Sequence, residues 1–556
     1  MGDTRMQFNK KILSKINSQS VIVSLCLFAV CLGTQQIQTV AWNTGIIEFA
    51  RDSVGILMAV IIFTNYKRND FVKYKTPYII WSVIGTVSGI VLIPLAIRNR
   101  ADYLKADTLI IFLGTFMMGY CVIHTVISFF IEKYRPKFYL PLFIMWIVML
   151  ILMITSRSDY LWPECYFVLF LCYYMTPQTP NQRSNVTIGL INGIILGYIA
   201  IQAHALLCRP YDRVRYYGNF CNPNHNSMFL CVCLAAILAK ILFVTKENKN
   251  KAIKSFYFFL AGSCYSLICM TMCRSGYLAA LCATVFFLIA YCRIKKKTIY
   301  IKMGGLLFSI FVTMLPLTYL AVRYIPTIHP HVLFYFQEGY SDLRVHSWDE
   351  WDSEKYVTFK QMLQGVMERF GNIKDALETL QDAGNNDTFD DSLKVASYSA
   401  YIPMEISASA SIEIADTDND FNPKKVPALS EEESANSLVV RYTIYKWYFS
   451  HLSLRGMPYD EQGFQLTQNH WIQDTHNIYL DYGINFGYPV MVLFTIFIWW
   501  GIGRLTNQGL RTTDIRKLTC LLIALIPPIF GLSEFAWGTG TISTVALYLS
   551  FKEMFT

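Results

Sequence analysis

Charged residues are scarce in this chain, and the shortage excludes most soluble classes of protein. Asp, Glu, Lys and Arg make up 16% of the 556 residues, against about 25% in ordinary soluble proteins. Hydrophobic residues make up 54%, which is typical of a protein that crosses a bilayer several times. The net charge of +9 is spread over short basic clusters between apolar runs. No basic, aromatic-rich patch lies outside these runs, so we expect no nucleic-acid partner.

Cysteine is missing from the long polar segment 325–472, where a disulfide framework would place it. The fifteen cysteines lie mostly inside apolar runs, and we expect them to pack as small apolar residues. The chain also lacks a Walker A loop, a dinucleotide-binding glycine motif, a zinc-ligand spacing and a recognisable Ser/His/Asp order. We therefore expect neither a metal nor another cofactor.

Apolar runs of roughly 20 residues, the length that a helix needs to cross a bilayer, recur along the chain. They predict an all-α polytopic membrane protein with about 12 to 14 transmembrane helices. Residues 1–18 are predicted to be a cytoplasmic segment, and residues 19–324 a transmembrane bundle of about eleven helices. Residues 325–475 form one large polar loop, and residues 476–556 the last transmembrane helices.

Lysines and arginines between the apolar runs predict the orientation, because basic loops stay on the cytoplasmic side. The main basic clusters fall on one side of the membrane if both termini are cytoplasmic. The loop 325–475 is then extracytoplasmic. Within it, residues 354–383 and 437–454 have the periodicity of amphipathic helices, and residues 384–435 are acidic.

Three short polar motifs stand at the edges of apolar runs, all on the predicted outer side. They are Arg215-Tyr-Tyr-Gly218 with Asn222-Pro-Asn224, then Cys273-Arg274-Ser-Gly276, then His476-Asn477-Ile-Tyr479. Ionisable groups at membrane depth are costly, which favours a function for them. Arginines and helix N-termini bind phosphate, and a histidine can accept a proton near neutral pH.

Each motif also has a plainer interpretation when it is considered alone. The first is compatible with a helix-capping turn beside a headgroup arginine, the second with a topology anchor, and the third with a capping histidine in an aromatic belt. Arg441, on the helix predicted over 437–454, is compatible with a solvated face. The order of all four is more informative than any one of them.

Taken together, the motifs resemble those of the O-antigen ligase and O-antigen polymerase superfamily. The family pattern places Arg-x-x-Gly and Asn-Pro-Asn before a helix, then an arginine before another helix, then an arginine six residues before a tryptophan in an external loop, then His-Asn-x-Tyr-Leu. This chain matches it at Arg215 to Asn224, at Arg274, at Arg441 to Trp447 and at His476 to Leu480. The resemblance implies a helical fold of the GT-C type, in the bacterial cytoplasmic membrane.

The resemblance also implies an activity, which is glycan transfer from an undecaprenyl-diphosphate donor to an acceptor hydroxyl, with inversion and without a metal. The acceptor would be a glycan, a lipid or a protein, reached on the outer face of the membrane. His476 would be catalytic, as the base for the acceptor hydroxyl. The implied substrate-binding residues are Arg215, Arg274, Arg441, Asn222, Asn224, Asn477 and Tyr479.

Two questions stay open at this stage. The donor site is shared, so the residues do not separate a ligase from a polymerase. A transporter or flippase of lipid-linked oligosaccharides would also need many spans and interior arginines. Such a protein predicts polar residues along a path through the membrane, whereas the polar motifs of this chain gather on one side.

Overall fold

The computed structural model describes most of the apolar part of the chain and parts of the polar loop. The described residues are 18–35, 49–66, 68–99, 105–134, 139–158, 162–208, 211, 214–220, 222–247, 250–327, 357–369, 437–467, 470–472, 475–532 and 541–555. Within them the chain is almost entirely helical, so the prediction of an all-α protein is confirmed. Residues 1–17 of the predicted N-terminal segment 1–18, residues 354–356 and 370–383 of the predicted amphipathic helix, and the acidic stretch 384–435 lie outside the described residues.

The helices of the first part of the chain follow one another with short connections. They are α1 (Ser18–Thr34), α2 (Val54–Phe63), α3 (Arg68–Lys73), α4 (Lys75–Asn99), α5 (Lys105–Val126), α6 (Leu140–Ile154), α7 (Trp162–Met175) and α8 (Pro180–Cys208). A π-helical turn, Ile127–Ile131, extends α5.

The second part contains the most deeply buried helices and the described pieces of the loop. Its helices are α9 (Pro223–Lys246), α10 (Lys251–Thr271), α11 (Arg274–Lys295), α12 (Tyr300–Tyr324), α13 (359–369), α14 (Ser437–Ser450), α15 (Ile478–Phe486), α16 (Tyr488–Thr512), α17 (Ile515–Phe530) and α18 (Ile542–Phe555). Between α14 and α15, strands β1 (Phe464–Thr467) and β2 (His470–Ile472) pair antiparallel, a hairpin that the sequence did not predict.

Seven helices in the described part of the chain are long and apolar enough to cross a bilayer, and three more apolar helices are shorter. Many of their apolar side chains are exposed on the outside of the bundle, notably along α4, α6 and α12. An exposed apolar belt of this kind is what a bilayer covers. The chain therefore has the architecture of an all-α membrane protein, whereas the figure of 12 to 14 spans stays a prediction.

Helix α9 lies at the centre of the bundle, and nearly all of its side chains are buried. It packs against α10, α11 and α17. Its contact with α11 is close, because a side chain on Gly276 would collide with the hydroxyl of Ser227. Small residues at such crossings let membrane helices approach each other.

The two ends of the bundle differ in what they carry. Helices α9 and α11 begin, and α10 and α12 end, at one end, which we call the arginine end. Helices α9 and α16 finish together at the opposite end of the bundle, since the Lys246 ammonium donates to the Thr513 carbonyl at 2.8 Å. Arg183 and Glu553 also meet there, at 3.9 Å.

One apolar run that the sequence predicts to be a single helix forms two helices in the structure. The sequence predicts a single span over 476–503, but the chain forms α15 and α16 with a sharp turn at Gly487 (φ +98°). A Cβ at this position would lie 2.2 Å from the Leu454 carbonyl oxygen. Only glycine fits this backbone conformation and this approach.

Candidate active site

Arg215 lies in a loop that is docked on the end of α10. The backbone N–H of Tyr216 donates to the Met270 carbonyl at 2.9 Å. Arg215 Nε donates to the Thr271 carbonyl at 2.9 Å, and Arg215 Nη2 donates to Asn224 Oδ1. Arg215 and Asn224 of the first motif are thus in direct contact, and the guanidinium group is fixed at the arginine end.

Gly218 allows the loop to turn back over α9. Its φ is +54°, and a Cβ there would lie 3.0 Å from the side chain of Asn226. Asn226 is fully buried and its Nδ2 donates to the Tyr216 carbonyl at 3.5 Å. The glycine of the Arg-x-x-Gly motif is therefore needed to bring the arginine to its position.

The N-termini of α9 and α11 lie side by side at this site. Asn222 caps α9, its Oδ1 accepting from the Asn224 N–H at 2.8 Å. Helix α11 begins after Cys273, whose side chain forms no capping hydrogen bond. The contact between Ser227 and Gly276 keeps the two helix starts together. Each start carries a partial positive charge, so the pair favours a bound anion.

A second arginine joins the first through α13, in the polar loop. Arg274 Nε donates to the backbone carbonyl of Arg369 at 3.2 Å. Helix α13 has its own start signal, since Thr358 and Gln361 exchange side-chain hydrogen bonds with each other's backbone N–H groups. Arg369, the last described residue of α13, thus lies directly against the first residue of α11.

Arg369 is a candidate site residue that the sequence analysis missed. It follows Met362 by seven residues and Val366 by three, and both of these pack into the core. That spacing puts Arg369 on the buried face of the helix. The helical periodicity over 354–383 carries this signal, whereas the motifs of the sequence lie at the edges of the apolar runs and on the helix predicted over 437–454.

The guanidinium groups at the arginine end repel one another. Arg215 and Arg441 both act electrostatically on Arg274, and Arg215 and Arg274 both act on Arg369. Burial and these neighbouring arginines lower the pKa of Arg369 to about 10. Within the described residues, Arg215, Arg274 and Arg369 form no ion pair with a carboxylate. We call Arg215, Arg274, Arg369 and Arg441 the arginine cluster.

Helix α14 links the arginine cluster to the histidine motif. It carries Arg441 and, one turn later, Tyr445, whose hydroxyl donates to the His476 carbonyl at 3.1 Å and to the Leu532 carbonyl at 3.2 Å. His476 has φ +49°, an unusual conformation for a residue with a side chain. Such conformations persist where surrounding contacts impose them, and they are frequent at functional sites.

Asn477 and Tyr479 use their polar groups to hold the start of α15. Asn477 Oδ1 accepts from the N–H groups of Tyr479 (2.9 Å) and Leu480 (3.1 Å), and its Nδ2 donates to the Leu532 carbonyl at 2.9 Å. The Tyr479 hydroxyl is buried and donates to the Pro528 carbonyl at 3.2 Å. These two predicted binding residues therefore have helix-end contacts, as Asn222 does.

Comparison with protein-family models, with curated proteins and with solved structures gives no match for this chain.

Proposed function

We infer that this protein is a membrane glycosyltransferase of the O-antigen ligase or polymerase type. It would move a glycan from an undecaprenyl-diphosphate donor to an acceptor hydroxyl, outside the bacterial cytoplasmic membrane. The observation that carries the proposal is the arginine cluster, gathered at two adjacent helix N-termini. Three of its members, Arg215, Arg274 and Arg369, form no ion pair with a carboxylate among the described residues. Their like charges favour a bound anion, and a diphosphate supplies one.

The arginine cluster suits the leaving group of this reaction. The acceptor oxygen attacks the anomeric carbon of the donor sugar, and the bond from that carbon to the diphosphate oxygen breaks. The electron pair leaves with the diphosphate, whose charge grows as the bond breaks. Fixed guanidinium groups stabilise this charge, and one such donor contributes roughly 10²- to 10³-fold in rate.

The acceptor hydroxyl loses its proton during this attack, and His476 is the proposed base. Neutral imidazole can take that proton near neutral pH. Attack from the side opposite the diphosphate inverts the anomeric centre. The strained backbone of His476, held by Tyr445 from the helix that carries Arg441, supports a common site for the histidine and the arginines.

The first test uses purified protein in liposomes with only an undecaprenyl-diphosphate-linked repeat unit. We expect His476→Ala to abolish product formation, while His451→Ala, an exposed histidine at the end of α14, keeps it. A ladder of longer lipid-linked products identifies a polymerase. Products that form only when an acceptor glycan, lipid or protein is added identify a ligase.

Two results contradict the proposal. One is full transfer by His476→Ala, which removes the histidine from the chemistry. The other is an intact donor that changes leaflets without any new glycosidic bond, with or without an acceptor. That second result identifies the flippase alternative, because a flippase moves the donor and breaks no bond.

A further inference from the structure

One face of helix α13 packs against the helical bundle next to the arginine cluster. Met362 is fully buried, and Gly365 lies against the loop and turn that precede Arg215 and Arg274. A Cβ on Gly365 would lie 2.7 Å from Val214 and 2.9 Å from Met272. The absence of a side chain therefore lets the helix dock closely.

A second face of α13 is apolar and exposed. Phe359, Leu363 and Met367 follow one another at four-residue spacing, with Leu363 39% and Met367 71% exposed. They border a shallow cavity of about 420 Å³. A third, polar face borders the same cavity with Lys360, Gln364 and Glu368, also at four-residue spacing. A short helix with adjacent apolar and polar stripes is typical of a membrane interface.

The start of α13 packs beside the last turns of α12, a helix long and apolar enough to cross a bilayer. The ring of Phe359 contacts that of Tyr319 on α12 with centroids 5.1 Å apart, and the Tyr319 hydroxyl donates to the Val357 carbonyl at 2.8 Å. Tyr319 precedes the end of α12 by five residues, or about 7.5 Å along the axis. Leu317 and Leu320, its neighbours on α12, are half exposed on the apolar outside of the bundle. The apolar stripe thus continues a surface that faces lipid.

We propose that α13 lies in the bilayer interface at the arginine end, with Leu363 and Met367 among the acyl chains and Lys360 at the headgroups. The same helix carries Arg369 two residues after Met367, so the arginine cluster stands at the boundary between lipid and water. It therefore receives an anion that is attached to a membrane lipid. The lipid contact of α13 is independent of the proposed function. The delivery of a glycan donor from the lipid phase rests on the proposed function.

The position of α13 is tested with spin labels on the protein in liposomes. Single cysteines replace Leu363 or Met367 on the apolar stripe, and Gln364 or Glu368 on the polar stripe as matched controls. The unsubstituted chain, treated with the same label, gives the background from its own cysteines. We expect labels at 363 and 367 to collide mainly with oxygen, which dissolves in lipid, and labels at 364 and 368 mainly with a water-soluble nickel chelate.

Two outcomes overturn the lipid contact. Equal access of the nickel chelate to all four positions means that the apolar stripe faces water. Low access of both oxygen and the nickel chelate to labels at 363 and 367 means that protein, such as another segment of the loop, covers the apolar stripe.

The consequence for the donor is tested by kinetics. In Leu363→Asn/Met367→Asn, we expect the KM for the undecaprenyl-linked donor to rise about tenfold with kcat unchanged, because apolar contact with lipid is lost. A short-chain, water-soluble diphosphate donor should show no change. Equal effects on both donors contradict delivery from the lipid phase. Absence of any transfer, combined with lipid contact of the labels, contradicts the proposed function alone.

Discussion

Guanidinium groups that lie together without a carboxylate store unfavourable electrostatic energy. In the described part of this chain that holds for Arg215, Arg274 and Arg369, which helix ends and backbone carbonyls hold in place. A site built to bind an anion tolerates such repulsion, since the ligand relieves it. The repulsion among these arginines is thus a consequence of the proposed use of the site.

Removing one of these charges should stabilise the fold and weaken the binding of the donor. We expect Arg369→Gln to raise the free energy of unfolding by about 1 kcal/mol, a modest gain because solvent screens a partly exposed charge. The KM for the lipid-linked donor should rise about tenfold, as one charged contact is lost. Thermal unfolding in detergent and donor titration measure the two effects.

Arg455 supplies the matched control for this prediction. It also lies at the arginine end, but it is exposed and donates from Nε and Nη2 to the Thr155 carbonyl at 3.1 and 2.6 Å. Arg455→Gln should therefore leave the KM unchanged and give no gain in stability. If Arg369→Gln instead destabilises the protein and leaves the KM unchanged, its guanidinium group has a structural role.

At the scale of single elements, the break between α15 and α16 sets the direction in which the histidine motif enters the bundle. The N–H of Ile478 donates to the Gly531 carbonyl at 2.9 Å, so α15 begins where α17 ends. The turn at Gly487 lets α15 take this position while α16 crosses the bundle. A continuous helix over 476–503 could not both begin at the end of α17 and cross the bundle along the path of α16.

Gly487→Ala is expected to destabilise the protein by about 2 to 3 kcal/mol, because its φ is unfavourable for alanine and its Cβ would meet the Leu454 carbonyl. Gly503, inside α16, is the control, since nothing lies within 4 Å of an added Cβ there. Gly503→Ala should be neutral or stabilise by up to about 1 kcal/mol. Similar unfolding temperatures for the two variants would show that the turn at Gly487 is not strained by a side chain.

At the scale of the whole molecule, the end opposite the arginine cluster is held by a buried ionic network. Glu553 is 4% exposed and lies 3.9 Å from Arg183, and it also acts on Arg516 and Lys517. The neighbouring Lys552 ammonium is buried and donates to the carbonyls of Tyr173 and Thr176. Glu553 thus shares the balancing of these cations with Asp514, which pairs with Arg516 at 2.8 Å.

Glu553→Gln should destabilise the fold by about 3 kcal/mol, because it removes the counter-charge of Arg183 and of the buried Lys552. Glu132→Gln, which removes an exposed pair with Lys73 at 3.4 Å, should change stability by less than about 1 kcal/mol. The KM for the lipid-linked donor should be unchanged in both variants, since the arginine cluster is at the other end. A raised KM in Glu553→Gln, measured on the folded fraction, would contradict this separation of the two ends.

The sequence by itself determined that this is an all-α membrane protein, because composition and apolar run length are local properties that a bilayer selects directly. It also marked Arg215, Arg274, Arg441 and His476, since ionisable residues stand out beside apolar runs. Only the tertiary structure decided that Arg369 joins Arg274 across 95 positions, that Asn477 and Tyr479 hold helix ends, and that Gly487 divides one apolar run into two helices. These depend on how a loop closes and how helices pack, and no pattern among near neighbours in the chain records either.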